Sequence, residues 1–281
     1  MTAIIGEVLA EARRRLSAAP FRPDTREATL LLGHVLGWEE AQVIARQDRS
    51  LDPARARQFE SVVNRRLTGE PVAYIVGVKE FFGRQFRVDR RVLIPRPETE
   101  HLVEVALELP LPRQPSILDL GTGSGCLAAT LALELPASRV VATDISVGAL
   151  AMARQNLGLH GLTHRLQLLA GDLARSLDLA GFDLVVSNPP YIGRAETPSL
   201  SPEILDFEPD TALFAGAEGT AVFQRLFEEL SDLRPETWLV TEIGAGQQDL
   251  IRRLIAGSPF RLVEIRPDYA GHPRIALLRH R

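Results

Sequence analysis

The sequence predicts an α/β fold in which a small all-helical domain and a β-hairpin linker precede a mostly parallel sheet. Apolar side chains recur at helical spacing through the first part of the chain, up to about residue 70. From Ser116 onward, short apolar runs alternate with amphipathic helical segments. Such alternation is typical of parallel strands that are covered by helices on both faces of the sheet.

Length and composition restrict the class of protein. The 281 residues are enough for one large and one small domain, and 45% hydrophobic and 24% charged residues are ordinary for a globular protein. The net charge of −4 argues against a surface built to hold nucleic acid, so we expect no stable nucleic-acid binding. Cys126 is the only cysteine, which excludes an intramolecular disulfide and a cysteine-based zinc site. No stretch approaches the roughly 18 apolar residues of a membrane span, and we expect a cytoplasmic protein.

Residues 1–72 are predicted to form a bundle of helices without strands. Asp24 and Glu27 have the spacing of a capping box, and Asp52 with Pro53 has the pattern of an N-cap followed by a first helical residue. The apolar faces of the predicted helices comprise Ile4, Ile5, Val8, Leu9, Ala12 and Leu16, then Ala28, Leu31, Leu32, Val35 and Leu36, then Phe59, Val62, Val63 and Leu67.

Residues 73–97 form the predicted linker, and residues 98–281 the predicted sheet domain. In the linker, β-rich runs on either side of Gly83 indicate a hairpin. Strands of the sheet domain are predicted at residues 117–120, 140–143, 183–187 and 238–242. Residues 192–211 are the longest stretch predicted to be irregular, and loops of that length in compact domains tend to be functional.

A glycine-rich turn follows the first of these strands, in the order Asp119-Leu120-Gly121-Thr122-Gly123-Ser124-Gly125. In an open α/β sheet, ligands bind beyond the carboxyl ends of the strands, and glycines allow the backbone to approach them closely. A dinucleotide fingerprint would need a third glycine at Cys126, so the spacing argues against that ligand.

The turn resembles the first motif of class I methyltransferases, which have a Rossmann-like fold. This resemblance implies that Gly121, Thr122, Gly123, Ser124 and Gly125 bind S-adenosylmethionine. It also implies that Asp144, which ends the next strand, accepts hydrogen bonds from the ribose hydroxyls, although Asp144 could instead be a helix cap. By the same resemblance, Asp172 accepts from the adenine amine and Leu173 occupies a position where many relatives carry an aromatic residue.

The segment Ser187-Asn188-Pro189-Pro190-Tyr191 follows a later strand. The two prolines remove backbone donors, so the carbonyls before them are free to face a ligand. The side-chain oxygen of Asn188 and one such carbonyl form a pair of acceptors that suits an NH₂ group. Tyr191 would supply an aromatic wall for a flat substrate group. The alternative interpretation is a loop that merely ends a strand.

Asn188-Pro189-Pro190-Tyr191 resembles the motif of methyltransferases that act on planar nitrogens. Further segments resemble the release-factor glutamine methyltransferases, and this resemblance covers the whole chain. They are Tyr74-Ile75-Val76-Gly77, Glu80-Phe81-Phe82-Gly83, Ile94-Pro95-Arg96-Pro97-Glu98-Thr99-Glu100, Phe207-Glu208-Pro209, Thr241-Glu242-Ile243-Gly244 and Asp268-Tyr269-Ala270-Gly271.

The family resemblance implies methyl transfer to the side-chain amide nitrogen (N5) of the glutamine in the Gly-Gly-Gln motif of class I peptide-chain release factors. Asn188 and Pro189 would be catalytic, Asn188 would also contact the cofactor, and Pro190 and Tyr191 would complete the substrate site. A seven-stranded sheet with an antiparallel last hairpin, no metal and a monomeric state are also expected. The alternative is an enzyme that methylates adenine N6 or another planar nitrogen of a nucleic acid, which the Asn188–Tyr191 motif alone would permit.

Overall fold

The computed structural model describes residues 3–21, 23–175 and 177–281, which form two compact units. The first unit consists of residues up to Val78 together with residues 200–207. The second unit consists of residues 79–199 and 208–281. A short segment from the second half of the chain, residues 200–207, thus belongs to the N-terminal unit, which the sequence pattern did not indicate.

The first unit is a helical bundle with one short strand pair. Its elements are β1 (Ala3–Ile4), α1 (Ile5–Ser17), α2 (Glu27–Leu36), α3 (Glu40–Ile44), β2 (Ser50–Leu51), α4 (Pro53–Leu67) and α5 (Val72–Val76). Fully buried side chains such as Leu9, Leu31 and Phe59 form its core. The prediction that no strand interrupts this part is wrong, because β1 and β2 pair antiparallel. The pairing continues into α1, where the backbone N–H of Ile5 donates to the Arg49 carbonyl at 2.9 Å and satisfies a donor that a helix start leaves open.

Two predicted helix starts had different outcomes. Asp52 caps α4 as predicted, since its carboxylate accepts from backbone N–H groups of the first turn. The prediction of a capping box at Asp24 is wrong, because α2 begins only at Glu27. The Asp24 carboxylate instead accepts from the backbone N–H of Arg26 at 2.8 Å. Glu27 instead binds the buried guanidinium of Arg66, with an N–O distance of 2.6 Å. A long-range ion pair thus replaced the local hydrogen bond that the spacing suggested.

The second unit begins with the predicted hairpin. Strands β3 (Val78–Phe81) and β4 (Arg84–Arg87) pair, and Phe82 and Gly83 form the turn with φ values of 52° and 72°. Positive φ at both central residues is the geometry of the tight turns that match the twist of a hairpin. A 3₁₀ turn at Pro97–Thr99 and helix α6 (Glu100–Leu107) follow.

The remainder of the second unit is built on one sheet. Its elements are β5 (Ser116–Leu120), α7 (Cys126–Glu134), β6 (Arg139–Asp144), α8 (Val147–Leu159), β7 (Leu166–Ala170), β8 (Leu184–Ser187), α10 (Asp210–Leu213), α11 (Ala221–Glu229), β9 (Trp238–Glu242), α12 (Gln248–Ala256), β10 (Phe260–Pro267) and β11 (Pro273–His280). Helix α9 (Pro202–Phe207), which comes between β8 and α10 in the sequence, belongs to the first unit. The strand order is β10-β11-β9-β8-β5-β6-β7. Strands β5 to β9 run parallel, while β11 is antiparallel to β9 and β10 to β11. The predicted seven-stranded sheet with an antiparallel last hairpin is confirmed.

Apolar side chains fill both faces of this sheet. Along β5, Ile117 packs into the cluster that contains α6 and α7, whereas Leu118 packs into the cluster that contains α11 and α12. Both residues are fully buried. Because successive side chains of a strand point to opposite faces, continuous apolar runs are what a sheet covered on both sides requires.

Residues 192–211 are more ordered than predicted. They contain a 3₁₀ segment (Arg194–Ser199), helix α9 (Pro202–Phe207) and the start of α10 (Asp210–Leu213). Helix α9 belongs to the first unit, where Glu203 pairs with Arg66. Pro202 and Glu203 lie in the first turn of α9 and Asp210 in the first turn of α10, so these residues begin helices here.

No helix in residues 3–21, 23–175 or 177–281 combines the length and the apolar character that a bilayer span needs.

Candidate active site

A cavity of about 320 Å³ lies at the carboxyl edge of the parallel strands in the second unit. Residues that follow β5, β6, β7 and β8 line it, as the general rule for open α/β sheets requires. The sequence-predicted residues among those that line it are Gly121, Thr122, Gly123, Ser124, Asp144, Asp172, Leu173, Asn188 and Pro190. Gly125, Pro189 and Tyr191 are not among the lining residues.

The glycine turn presents backbone rather than side chains to the cavity. Gly121 and Gly123 have φ values of 75° and 57°, and a Cβ added to either would meet nothing within 4 Å. Gly125 differs, because a Cβ there would lie 3.0 Å from the Cβ of Ala153 in α8. Gly121 and Gly123 therefore leave the cavity open, whereas Gly125 allows α7 and α8 to pack closely.

Asp144 joins the glycine turn to the start of α8. One carboxylate oxygen accepts from the backbone N–H of Gly123 and the other from that of Ser146, both at 2.8 Å. The cap of α8 is Ser146, whose hydroxyl oxygen accepts from the N–H of Ala149 at 3.1 Å. The alternative interpretation of Asp144 as the helix cap is therefore wrong. Burial raises the pKa of Asp144, while its two backbone hydrogen bonds oppose that shift.

Asp172 and Leu173 form the wall beyond β7. The carboxylate of Asp172 pairs with Arg225 of α11 at 2.8 Å, and Arg225 also binds Glu229 at 2.9 Å. Leu173 has a φ of 54°, a region that a leucine adopts only when surrounding structure holds it there. Its carbonyl accepts from the hydroxyl of Thr143 at 3.2 Å, which helps to hold that conformation.

Asn188 projects from the end of β8 with a defined amide orientation. Its Nδ2 donates to the hydroxyl oxygen of Thr99 at 2.9 Å, and the hydroxyl of Thr99 donates to Glu242 at 2.6 Å. A threonine hydroxyl has one hydrogen, so a hydroxyl that donates to Glu242 can only accept from Asn188. The nitrogen of the amide is thereby turned toward Thr99, and within the described residues its oxygen has no hydrogen-bond donor.

Comparison with known proteins identifies the family. Residues 7–77 match the model of the PrmC N-terminal domain, and residues 99–226 match that of the methyltransferase small domain. The chain is 42% identical over 276 residues to the release factor glutamine methyltransferase of Nitratidesulfovibrio vulgaris, covering 97% of this chain and 94% of that protein. The chain belongs to the release factor glutamine methyltransferase family.

Two further comparisons concern a longer relative and the fold. The bifunctional methyltransferase of Rickettsia conorii is 33% identical over 99% of this chain, which spans 58% of that protein's length. Among solved structures, the catalytic domain of hMettl16 superposes with a TM-score of 0.56 at 17% identity, covering 83% of this chain and 84% of that one. This likeness shows the fold alone. The chain is a class I methyltransferase with a Rossmann-like sheet and an N-terminal helical domain.

Pro189 and Tyr191 of the Asn-Pro-Pro-Tyr segment are packed inside this methyltransferase. Pro189 is buried, and within the described residues its carbonyl accepts no hydrogen bond. The Tyr191 hydroxyl donates to Glu242 at 3.2 Å, and its ring packs against the apolar cluster of α11 and α12. The amide nitrogen of Gln247 donates to the Tyr191 carbonyl at 2.8 Å. The aromatic wall suggested for Tyr191 stays a prediction.

Asp119 is a further carboxyl group on the cavity wall that the motif contained but that we had not assigned to the site. It is 1% exposed, and its Oδ2 accepts from the hydroxyl of Thr122 at 2.6 Å. Burial raises the pKa of Asp119 to about 7, and the nearby charge of Asp144 adds to the increase. The spacing alone could have suggested a site residue, since this carboxyl precedes the first glycine by two positions.

Thr99 and Glu242 were also missed as site residues. Thr99 is 89 residues from Asn188 along the chain and 143 from Glu242. Both lie in segments that resembled the family, but no local spacing connects them. The parallel register pairs Ser187 with Thr241, so the following residues, Asn188 and Glu242, leave neighbouring strand ends together.

Proposed function

We propose that this enzyme transfers the methyl group of S-adenosylmethionine to the N5 amide nitrogen of a glutamine in class I peptide-chain release factors. The glutamine is the one in their Gly-Gly-Gln motif. The observation that carries the proposal is the orientation of Asn188, whose amide oxygen is left as an acceptor beside the cavity. The names of curated relatives such as the Nitratidesulfovibrio vulgaris protein support the glutamine of a release factor as the acceptor.

The acceptor chemistry fits a primary amide. An amide nitrogen is a poor nucleophile, because its lone pair is delocalised into the carbonyl group. The Asn188 oxygen and the Pro189 carbonyl would each accept one of its two hydrogens and fix the nitrogen in line with the methyl donor. The same oxygens would stabilise positive charge that develops on nitrogen in the transition state. Once methylated, the cationic amide is strongly acidic, so the reaction needs no dedicated general base.

The cavity fits the cofactor. The backbone at Gly121 and Gly123 leaves open space in the cavity for the cofactor. Each Asp144 oxygen accepts one backbone hydrogen bond and keeps a second lone pair for a ribose hydroxyl. Asp172 keeps its Oδ1 for the adenine amine, since Oδ2 binds Arg225. When bound, S-adenosylmethionine would supply an electrophilic methyl group on a sulfonium.

We further propose that the first unit docks the body of the release factor. A short peptide presents the same amide as a folded release factor, so the chemistry itself does not require a second compact unit. Binding energy from a remote surface can be used to orient the reacting group, which gives such a unit a catalytic purpose.

The proposed reaction is tested with the purified full chain, S-adenosylmethionine labelled in its methyl group, and a purified class I release factor. We expect label on the Gly-Gly-Gln glutamine, located by mass spectrometry of peptides, and none when that glutamine is replaced by alanine. DNA and RNA of matched concentration serve as alternative acceptors. Label on adenine with none on the release factor would replace this proposal by a nucleic-acid methyltransferase.

A further inference from the structure

A buried hydrogen-bond chain runs behind the candidate catalytic amide. Glu242 is 1% exposed and Thr99 is 4% exposed. Glu242 accepts from Thr99 on Oε2 and from the Tyr191 hydroxyl on Oε1. A carboxylate that accepts on both oxygens fixes the direction of each donor, because it has no hydrogen of its own to offer.

The donor-to-acceptor direction of this hydrogen-bond chain determines which end of the Asn188 amide faces the cavity. With its hydrogen committed to Glu242, the Thr99 oxygen offers Asn188 only lone pairs, and the amide must present Nδ2 to it. If the Thr99 hydrogen were released, it could donate to the amide oxygen, and the amide could turn by half a rotation. Nδ2 would then face the incoming NH₂ group, and two donors would oppose each other.

Groups around Glu242 shift its pKa in both directions, and the pKa is raised on balance. Burial is the main influence and raises its pKa, and the charge of Glu98 acts in the same direction. The hydrogen bonds from Thr99 and Tyr191 and the charge of Arg274 lower it. Arg274 is itself held by Asp268 at 3.1 Å. The observation that sets the direction of the hydrogen-bond chain is geometric: the hydroxyl groups of Thr99 and Tyr191 are directed at the two oxygens of Glu242.

We propose that Thr99 and Glu242 are positioning residues that set the amide orientation of Asn188, so that its oxygen and not its nitrogen faces the acceptor. This inference rests on the proposed function, since it gives Asn188 the role of holding the substrate amide. Neither residue needs to touch the substrate. Their substitution should therefore affect the rate of methyl transfer far more than cofactor binding.

The test compares Thr99→Val, Thr99→Ser and Glu242→Gln in the full chain, with saturating S-adenosylmethionine and purified release factor. Valine keeps the shape of threonine but has no hydroxyl, whereas serine keeps the hydroxyl. We expect Thr99→Val to lower kcat at least about tenfold, while calorimetry shows the cofactor Kd within about twofold of wild type. Thr99→Ser should keep kcat within about threefold. Glu242→Gln, which can donate to Thr99 and free its hydrogen, should lower kcat as Thr99→Val does.

Thr130→Val is the matched control. Thr130 is fully buried in α7, and within the described residues its hydroxyl has no hydrogen-bond partner. Its substitution makes the same change of shape and polarity outside the hydrogen-bond chain of Asn188, Thr99 and Glu242, so kcat should stay unchanged.

Each outcome decides the matter. Wild-type kcat in both Thr99→Val and Glu242→Gln would overturn the positioning role while the proposed function stands. A Thr99→Ser variant as slow as Thr99→Val would also overturn it, since it would show that the hydroxyl of residue 99 is not what sustains the rate. A wild-type enzyme that leaves the release factor unlabelled would remove the proposed function and this inference with it. If Thr99→Val does not fold, the kcat values of Glu242→Gln and Thr99→Ser are compared with that of the wild type instead.

Discussion

At the scale of single residues, Asn188 is the side chain on which the proposed chemistry depends. Its nitrogen is bound to Thr99, its oxygen is left for a ligand, and it lines the cavity beside Gly121 and Asp144. The residue is half-buried, so its hydrogen bonds form where water competes weakly.

We expect Asn188→Ala to abolish methyl transfer while cofactor affinity falls far less. The reason is that alanine removes an acceptor for the substrate amide but leaves the glycine turn and Asp144 intact. Initial rates with labelled S-adenosylmethionine and calorimetry of cofactor binding measure the two effects separately. Activity within about tenfold of wild type, equivalent to about 1.4 kcal/mol of barrier, would contradict the assigned role.

Asp144→Ala should weaken S-adenosylmethionine binding by about 1.5–3 kcal/mol, the range for a hydrogen bond to a charged group. The carboxylate is also expected to matter indirectly, because it holds Gly123. Calorimetry measures the affinity. Asp52→Ala is the control, because it removes a helix cap in the first unit and costs about 1 kcal/mol in stability. That variant should bind the cofactor normally. Unchanged affinity in Asp144→Ala would mean that the carboxylate does not contact the ribose.

At the scale of secondary-structure elements, the glycine turn combines two tasks. Its first two glycines keep the cavity open, and Gly125 lets α7 start directly against α8. A sequence motif treats these glycines alike, whereas the structure places two of them at the cavity and the third at a helix contact. The difference can be measured as stability.

Gly125→Ala should lower the free energy of unfolding by about 1–3 kcal/mol. Its φ of 79° disfavours any residue with a Cβ, and the added methyl would crowd Ala153. Gly158→Ala is the matched control, since Gly158 lies in α8 and a Cβ there meets nothing within 4 Å. It should raise stability by about 0.5–1 kcal/mol, as alanine does for an exposed helical glycine. Equal effects of the two substitutions in urea unfolding would refute the packing role of Gly125.

At the scale of the whole molecule, the chain contains two compact units, and only the second contains the candidate site. The first unit has its own buried core, together with a buried arginine, Arg66, that binds Glu27 and Glu203. Glu203 belongs to residues 200–207, so deletion of the N-terminal residues would leave this segment without its ion pair. Surface substitutions are therefore a cleaner test of docking than truncation.

If the first unit docks the release factor, charge reversal on its exposed surface should raise KM for intact release factor. It should not change the rate with a short Gly-Gly-Gln peptide, because the peptide lacks the release-factor body that would dock. Arg14→Glu in α1 and Arg57→Glu in α4 are suitable, since both side chains are exposed. Arg139→Glu, at the exposed start of β6 in the second unit, is the control. Equal kcat/KM for peptide and intact protein in the wild-type enzyme would show that docking contributes nothing.

The sequence by itself determined the features that depend on residues close together in the chain. Alternating apolar runs predicted the sheet, the glycine spacing located the turn, and the Asn-Pro-Pro-Tyr segment identified the candidate acceptors. These signals are readable because hydrogen bonding, φ restriction and side-chain periodicity act over a few residues. Where a local rule competed with a distant partner, as for Glu27 and Arg66, the local prediction was wrong.

Only the tertiary structure decided how the site is held. Thr99 comes from a 3₁₀ turn before the sheet, Asn188 from the end of β8 and Glu242 from the end of β9. The parallel register of β8 and β9 brings the last two side by side, and packing brings the turn against them. The direction of a hydrogen bond depends on which atoms meet in space, so no spacing along the chain could show that Asn188 presents its oxygen to the cavity.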